Sequence, residues 1–316
     1  MTTSDKMTTD RTVIPLSDPV SVSAIPTPEA APPLPDSSAK IRLLRIFFSS
    51  WPITVAALLL LIIVLGAVFA PWLGTVDPVQ IDPSHRLKGM SAAHWLGTDA
   101  FGRDVYSRVL YGSRSSLLVG LGTVVTTVIF GVFLGVIAGY FRLADAIIMR
   151  ILDGIMAIPG ILLAIALVSI SGASLRTVLV AIAIPEIPRI TRLVRSVILS
   201  VRNEAYVEAA ICLGTRAPML MWRHMLPNTY APLIVQGTYI FASAILNESV
   251  LSFLGAGIPP EIPSWGNVMA DGRVYFQLIP TLILYPGIVL SITVLCVNIL
   301  GDALRDVLDP RMMRAR

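Results

Sequence analysis

The sequence has little charge, and the charge it has is unevenly spread. Only 14% of its 316 residues are Asp, Glu, Lys or Arg, whereas a soluble domain carries about 25%. Hydrophobic residues make up 55% of the chain, and whole stretches contain no charged residue. This pattern indicates a polytopic membrane protein and excludes an ordinary soluble domain. The net charge of +4 is therefore no indication of nucleic-acid binding.

Cysteines, histidines and the motifs of nucleotide-binding or hydrolytic sites are scarce or absent. The two cysteines, Cys212 and Cys296, and the three histidines lack the spacing of metal ligands, so we expect neither a disulfide nor a metal site. No GxxxxGKS or GxxxxGKT phosphate loop occurs, and we expect no ATP or other cofactor to bind this chain alone. HExxH, GxSxG and paired aspartates are also missing, which argues against an enzyme within the membrane.

Six apolar stretches follow a polar N-terminal tail. Residues 1–39 are rich in Ser, Thr, Pro and Ala and lack the apolar core of a signal peptide, which predicts a disordered tail. A helix needs about 20 apolar residues to cross a membrane. The stretches that meet this length lie at 51–72, 116–141, 144–171, 175–201, 230–254 and 277–300. The fourth is the weakest, because Glu186, Pro188 and Arg189 interrupt it.

These stretches predict an all-α protein with six transmembrane helices and no soluble domain. The expected parts are a tail (1–39), a first transmembrane helix (40–72), an extracytoplasmic segment (73–114), a five-helix core (115–304) and a C-terminus (305–316). Six spans place both termini on one side. That side would carry 17 of the 24 Lys and Arg residues, so it is predicted to be cytoplasmic.

The segment at 203–228, which we call the platform, is a charged, amphipathic interruption on the predicted cytoplasmic side. Asn203 is a plausible N-cap for a first short helix, and Gly214 a left-handed terminator of it. Thr215 could cap a second helix, which would end before Pro227. The sequence therefore predicts two short helices with a bend at Gly214, lying along the membrane surface.

The platform resembles the EAA coupling loop of ATP-driven importer permeases, in which an ATPase grips the membrane subunit. The resemblance implies that the residues that carry it also couple the chain to the ATPase. They are Glu208, Ala209, Ala210, Gly214, His224, Leu226, Pro227 and Asn228. Taken alone, Glu-Ala-Ala is a common tripeptide. The distances to Gly214 and to Leu226-Pro227-Asn228 make the match specific.

Three longer stretches resemble the C-type subunit of the dipeptide/oligopeptide/nickel branch of these permeases. They read HWLGTDAFGRDVYSRVLYGSRSSLL at 94–118, SFLGAGIPPEIPSWG at 252–266 and LGDALRDVLDPR at 300–311. The resemblance implies the type I ABC importer (MetI-like) fold in a bacterial cytoplasmic membrane. It implies a homologous B-type permease, two ATPase domains that bind ATP and Mg²⁺, an extracytoplasmic binding protein, and peptide cargo.

Two alternatives remain open at this point. The same permease could carry nickel chelates, heme or modified peptides. An ion-coupled secondary transporter would instead use Glu186 and Glu248 as coupling carboxylates, although no convincing internal repeat is present.

Ionisable and polar residues within the spans are candidates for the translocation path. Glu248 and its neighbour Asn247 lie in the outer part of the fifth span, where Glu248 either lines or gates the path, pairs with an arginine, or stays protonated. Glu186 lies in the fourth span, where related permeases often have Trp-Pro and this chain has Ile187-Pro188. Glu186 either lines the path or, as we favour, pairs with Arg189.

Two further sets of residues have predicted roles in contacts. Glycines recur every four residues in the second span, at Gly131, Gly135 and Gly139, which favours a structural role in close helix packing, with a helix of this chain or of the partner permease. Arg103, Asp104 and Trp265 lie in the predicted external loops. They are candidates for contact with the binding protein or, equally, for a structural cap.

Overall fold

The computed structural model describes residues 50–308, and the described chain forms helices and no β-strand, which confirms the all-α prediction. We number the α-helices in chain order. They are α1 (Trp51–Val68), α2 (Val105–Tyr140), α3 (Arg142–Met156), α4 (Gly160–Ser171), α5 (Leu175–Val201), α6 (Ala205–Cys212), α7 (Ala217–Leu220), α8 (Tyr230–Phe253), α9 (Trp265–Gly272) and α10 (Thr281–Leu308). Predictions for residues 1–49 and 309–316 lie outside the described residues.

Four helical segments in the described range are long and apolar enough to cross a membrane. They are Trp51–Val68, Val105–Tyr140, Ala217–Phe253 and Thr281–Leu308. α3 and α4 make a fifth if the bent pair counts as one span. α5 forms the predicted fourth helix, but its four arginines and Glu186 make it less apolar than these segments. The count of six spans therefore stays a prediction.

The predicted third span is not one continuous helix. α3 and α4 meet at an angle of 88° across a break at residues 157–159. Pro159 has no backbone N–H and disfavours helical geometry at Ile158, so the hydrogen-bond ladder of α3 ends with Ala157 N–H donating to Asp153 O. Gly160 then starts α4 in a new direction. Pro185 and Pro286, in contrast, lie inside α5 and α10.

The glycine stripe of α2 packs against α5 of the same chain. A Cβ atom added at Gly131, Gly135 or Gly139 would lie 2.5–2.7 Å from a side-chain atom of α5, in Ile190, Val194 and Ile198 respectively. The suggestion that the stripe faces a second permease is therefore wrong. Close backbone approach through small residues is how helices associate inside a membrane, where the hydrophobic effect gives no driving force.

One buried apolar cluster connects this helix pair to the platform. Its members come from α5 (Ile190, Val194, Ile198, Val201), from the platform (Val207, Ala210, Leu220, Met225) and from α8 (Leu233, Ile240). The platform is therefore packed directly against α5 and α8, and dense packing of this kind can transmit strain.

Candidate functional site

The first half of the platform has the predicted helix and bend. α6 spans Ala205–Cys212, and Gly214 has φ of +81°, the left-handed conformation that favours glycine. The expected caps are wrong: Glu204 and Arg216 occupy the N-cap positions, and neither side chain makes a capping hydrogen bond. The bend therefore depends on the backbone at Gly214 and on packing beneath the helices.

The second half of the platform does not end before Pro227 as expected. After α7 the chain continues through a π-helical turn at Met221–Met225 and a 3-10 turn at Leu226–Thr229, directly into α8. Pro227 is tolerated because it lies in the first turn of the 3-10 segment, where a backbone N–H has no helical partner. The platform is thus joined to α8 by helical structure.

The platform has a buried apolar side and an exposed apolar side. Val207, Ala210, Leu220 and Met225 face the bundle, whereas Glu208, Ala209 and Gly214 are exposed. The exposed large apolar side chains of the platform include Ile211, Leu213 (87% exposed), Met219 and Trp222 (73% exposed), and Trp222 also lines an apolar groove along α2 and α8. Several exposed apolar side chains in one short segment are typical of a protein-binding surface.

The Asn228 amide joins the two halves of the platform. Its Nδ2 donates to the backbone oxygen of His224 at 2.8 Å and to the Tyr206 hydroxyl at 3.2 Å. Tyr206 lies on α6, so the contact crosses from the first helix to the second. Asn228 and His224 were predicted as coupling residues, whereas Tyr206 was not, because no spacing rule identifies its partner.

We expect Asn228→Ala to loosen the platform without disrupting the bundle. A neutral hydrogen bond contributes about 1 kcal/mol, so backbone hydrogen exchange at 205–228 should become about fivefold faster. Asn203→Ala is the matched control, because the Asn203 side chain makes no hydrogen bond within the described range. Equal exchange rates in wild type and Asn228→Ala would contradict the assignment.

Glu248 is fully buried among serine side chains. Ser252 Oγ and Ser264 Oγ each donate to its Oε1 at 2.8 Å, and Ser116 Oγ lies 3.4 Å from Oε2. The four residues come from α8, α2 and the start of α9, and no arginine pairs with Glu248 among the described residues. Ser252 could have been found from its i+4 spacing, whereas Ser116 and Ser264 are distant in sequence. This environment supports a role in joining helices.

Glu186 and Asn247 line one small cavity between α4, α5 and α8. Its volume is about 200 Å³, and Gly160, Ile161 and Pro185 contribute to its wall. The favoured pair is confirmed, since Arg189 Nη1 lies 3.0 Å from Glu186 Oε2. The angle of that contact does not make a hydrogen bond, and Oε2 is buried with no hydrogen-bond donor in the described chain. Glu248 does not line this cavity.

Arg103 and Asp104 belong to an internal polar network rather than to an open surface. Arg103 donates to Asp99 at 2.6 Å and to Asp271 at 2.7 Å, and Arg108 contacts the same two carboxylates at 2.7 and 2.9 Å. Asp104 caps α2 by accepting from Ser107 N at 2.8 Å. The charges of Arg103 and Asp104 are therefore both paired or hydrogen-bonded within this chain.

Trp265 is also enclosed, with 0% of its surface exposed and its Nε1 donating to Val109 O at 3.2 Å. In this conformation Arg103, Asp104 and Trp265 are covered by the chain itself. Their burial supports the alternative of a structural cap that joins the first external segment to α2 and α9.

Asp82 is the acidic group outside the spans with the clearest perturbation. Hydrogen bonds from the Ser84 side chain and the His85 imidazole lower the pKa of Asp82 to about 2. Because both bonds favour the carboxylate, Asp82 stays ionised at any physiological pH. It fixes the 3-10 turn at Pro83–His85 in the external segment.

Comparison with known proteins identifies the family. Residues 131–314, more than half of the chain, match the family described as the binding-protein-dependent transport system inner membrane component. This chain belongs to that family. It is a membrane-spanning transport permease, and the matched range contains α3 to α10, including the whole platform.

Individual relatives agree with the family assignment. A probable peptide ABC transporter permease, y4tQ of Sinorhizobium fredii, is 54% identical over 240 residues, covering 76% of this chain and 82% of the relative. The dipeptide transport permease DppC of Alkalihalophilus pseudofirmus is 47% identical over 250 residues, covering 79% and 82%. Among solved structures, inward-facing MetNI methionine ABC transporter is 18% identical with a TM-score of 0.48, over 64% of this chain and 94% of that chain.

Proposed function

We propose that this chain is one of two membrane subunits of an ATP-driven importer that takes up short peptides from an extracytoplasmic binding protein. Relatives named as peptide and dipeptide permeases support the cargo. The observation that carries the coupling role is the exposed apolar surface of the platform, which lies on the same buried cluster as α5 and α8. The chain itself performs no covalent chemistry.

The partners follow from this role. A homologous B-type permease completes the pathway, and two ATPase domains bind ATP and Mg²⁺ below the platform. The binding protein docks on the opposite side of a bacterial inner membrane, with both termini of this chain cytoplasmic. That orientation rests on the distribution of Lys and Arg.

The coupling mechanism uses the rigidity of the packed core. When the ATPases close, they move α6 and the helical turns after Gly214. Val207 and Met225 transmit this movement to α5 and α8 through the buried cluster. A two-state change of this kind needs contacts that differ between the states, and the exposed platform supplies the surface for them.

The polar residues within the bundle divide by position. Glu186 and Asn247 remain candidates for the translocation path, because they line a common cavity. Glu248 is better explained as a link between α2, α8 and α9, since serine hydroxyls surround it. We assign Arg103, Asp104 and Trp265 to the external cap rather than to the contact with the binding protein.

The test is peptide uptake by the full complex in proteoliposomes. We expect accumulation of a dipeptide only when loaded binding protein is outside and ATP is inside, with no dependence on an ion gradient. Uptake driven by a proton or sodium gradient without ATP would favour the secondary transporter. If a nickel chelate or heme competed strongly for uptake and peptides did not, the permease role would stand but the cargo would not be a peptide.

A further inference from the structure

We propose that the cavity between α4, α5 and α8 binds the amino-terminal residue of the transported peptide, with its ammonium group held by Glu186 and Asn247. The proposal rests on the peptide importer function above and names the part of the substrate that this chain recognises. Four observations carry it: where the cavity lies, its acceptor groups, its donor groups and its size.

The cavity lies beside the break between α3 and α4, away from the turn that joins α4 to α5. The turn at 172–174 joins the end of α4 to the start of α5. Gly160 lies 11 residues before that end of α4, and Glu186 lies 11 residues after the start of α5, which is about 16 Å along each helix at 1.5 Å per residue. Gly160 and Ile161 are exposed on the surface of this chain. The cavity therefore opens beside α4, at a depth where a peptide crossing the membrane can reach it. Discontinuous helices with polar groups at this depth form the substrate sites of other transporters.

Two acceptors in the cavity receive no hydrogen bond from the described residues, although one of them is ion-paired. Glu186 Oε2 is buried without a hydrogen bond, although the charge of Arg189 is near. The Asn247 side chain makes no hydrogen bond to any described residue, and its amide oxygen is a second acceptor. Buried polar groups are almost always hydrogen-bonded in folded proteins. Glu186 Oε2 is such a buried group, and the half-buried Asn247 amide adds a second polar group to the same cavity, so the cavity suits a hydrogen-bonding occupant.

The donors come from the first turn of α4. Leu163 N–H donates to Pro159 O, but the N–H groups of Gly160 and Ile161 precede the helical ladder and have no acceptor among the described residues. Pro159 at the N-cap has no side-chain acceptor to offer them. Because Gly160 and Ile161 line the cavity, an occupant that presents a carbonyl next to a cation would suit both these donors and the Glu186 carboxylate.

A peptide amino terminus has that chemistry and that size. Its ammonium is a three-donor cation, and its first carbonyl is an acceptor two bonds farther along the chain. A pocket for a whole drug-sized ligand is about 300–1,000 Å³, so about 200 Å³ suits one terminal residue. A carboxyl terminus would be repelled by Glu186. A metal ion is disfavoured because no group of three His, Cys, Asp or Glu residues in the described chain is arranged to hold one.

The first experiment separates this site from coupling. In the reconstituted complex, Glu186→Gln should lower peptide import about ten- to a hundredfold, the range for losing a charge-assisted hydrogen bond, while binding-protein-stimulated ATP turnover persists. Glu261→Gln, which changes an exposed external carboxyl, should import normally. Arg189→Gln should also retain import, because it removes a competing cation. An equal loss in Arg189→Gln would show that the ion pair itself is what matters and would overturn the proposal.

The second experiment detects occupancy directly. Ala164 lines the cavity without contributing a polar group, so Ala164→Cys, with Cys212 and Cys296 replaced by serine, reports access for a small methanethiosulfonate reagent in the assembled complex. Dialanine should slow the labelling several-fold, N-acetyl-dialanine should not, and Glu186→Gln should abolish the difference. Equal protection by both peptides, no protection, or no labelling at all would overturn the proposal. Normal ATP-dependent import alongside any of these results would leave the importer function intact.

Discussion

Gly135→Leu is expected to prevent α2 and α5 from packing, so that little folded permease is recovered. A Cβ atom at this position would lie 2.6 Å from Val194 Cβ and 2.9 Å from the backbone oxygen of Thr191. The backbone atom cannot move aside as the end of a flexible side chain can, so the helices must separate. Overpacking of a tight core costs about 1–3 kcal/mol and sometimes more, and the neighbouring glycines would lose their contacts as well.

The measurement is the yield of monodisperse complex in detergent and its midpoint of thermal unfolding. Gly154→Leu is the matched control: Gly154 lies inside α3, and a Cβ there would meet nothing within 4 Å. We expect the control to behave like wild type and Gly135→Leu to give mostly aggregate. Wild-type yield and stability in Gly135→Leu would mean that α2 and α5 are not packed as described.

The glycine stripe shows what the sequence could predict and where it stopped. Glycines at every fourth position predict that another helix packs closely against this face of α2. That prediction is confirmed. The identity of the opposing helix is not encoded locally. The stripe packs against Ile190, Val194 and Ile198 of α5. Which helix lies opposite is decided by the tertiary fold, and a single sequence does not reveal it.

The helix boundaries show a similar division. Most of the helices were predicted because apolar length is a strong signal. The sequence did not predict that α3 ends just before Gly160. A proline inside an apolar stretch can kink a helix or end it, and the local sequence does not distinguish the two outcomes. Pro159 ends α3, whereas Pro185 stays within α5. Neighbouring packing decides between these outcomes.

The polar residues were predicted as important but not as neighbours. Sequence reasoning found Glu186 and its i+3 partner Arg189, because that contact is local. It did not place Asn247 on the same cavity, or Ser264 on Glu248, because those contacts join different helices. Asp271 likewise meets Arg103 across 168 residues. Contacts within one helical turn were thus accessible from sequence, and contacts between helices were not.

The second large effect is expected for Glu208→Lys, which should abolish coupling while the permease still folds. Glu208 is exposed on α6 and makes no hydrogen bond or ion pair within the described residues. Its stabilising interaction with the helix dipole is worth at most about 1 kcal/mol, so the fold should survive the change. In the proposed coupling role, this exposed carboxylate would meet a basic group on the ATPase. Reversing the charge would place two cations together, which costs several kcal/mol at an interface.

Import by the reconstituted complex should therefore fall on the order of a hundredfold in Glu208→Lys, together with binding-protein-stimulated ATP turnover. Glu261→Lys is the control, because it makes the same charge reversal on an exposed external residue. A charge swap on the ATPase, from the facing basic residue to glutamate, should restore part of the import if the two groups meet. Because folding is measured separately by yield and thermal stability, lost import can be attributed to docking. Normal import and normal ATP turnover in Glu208→Lys would remove Glu208 from the coupling surface and require the ATPase to engage the platform through Leu213 and Trp222 alone.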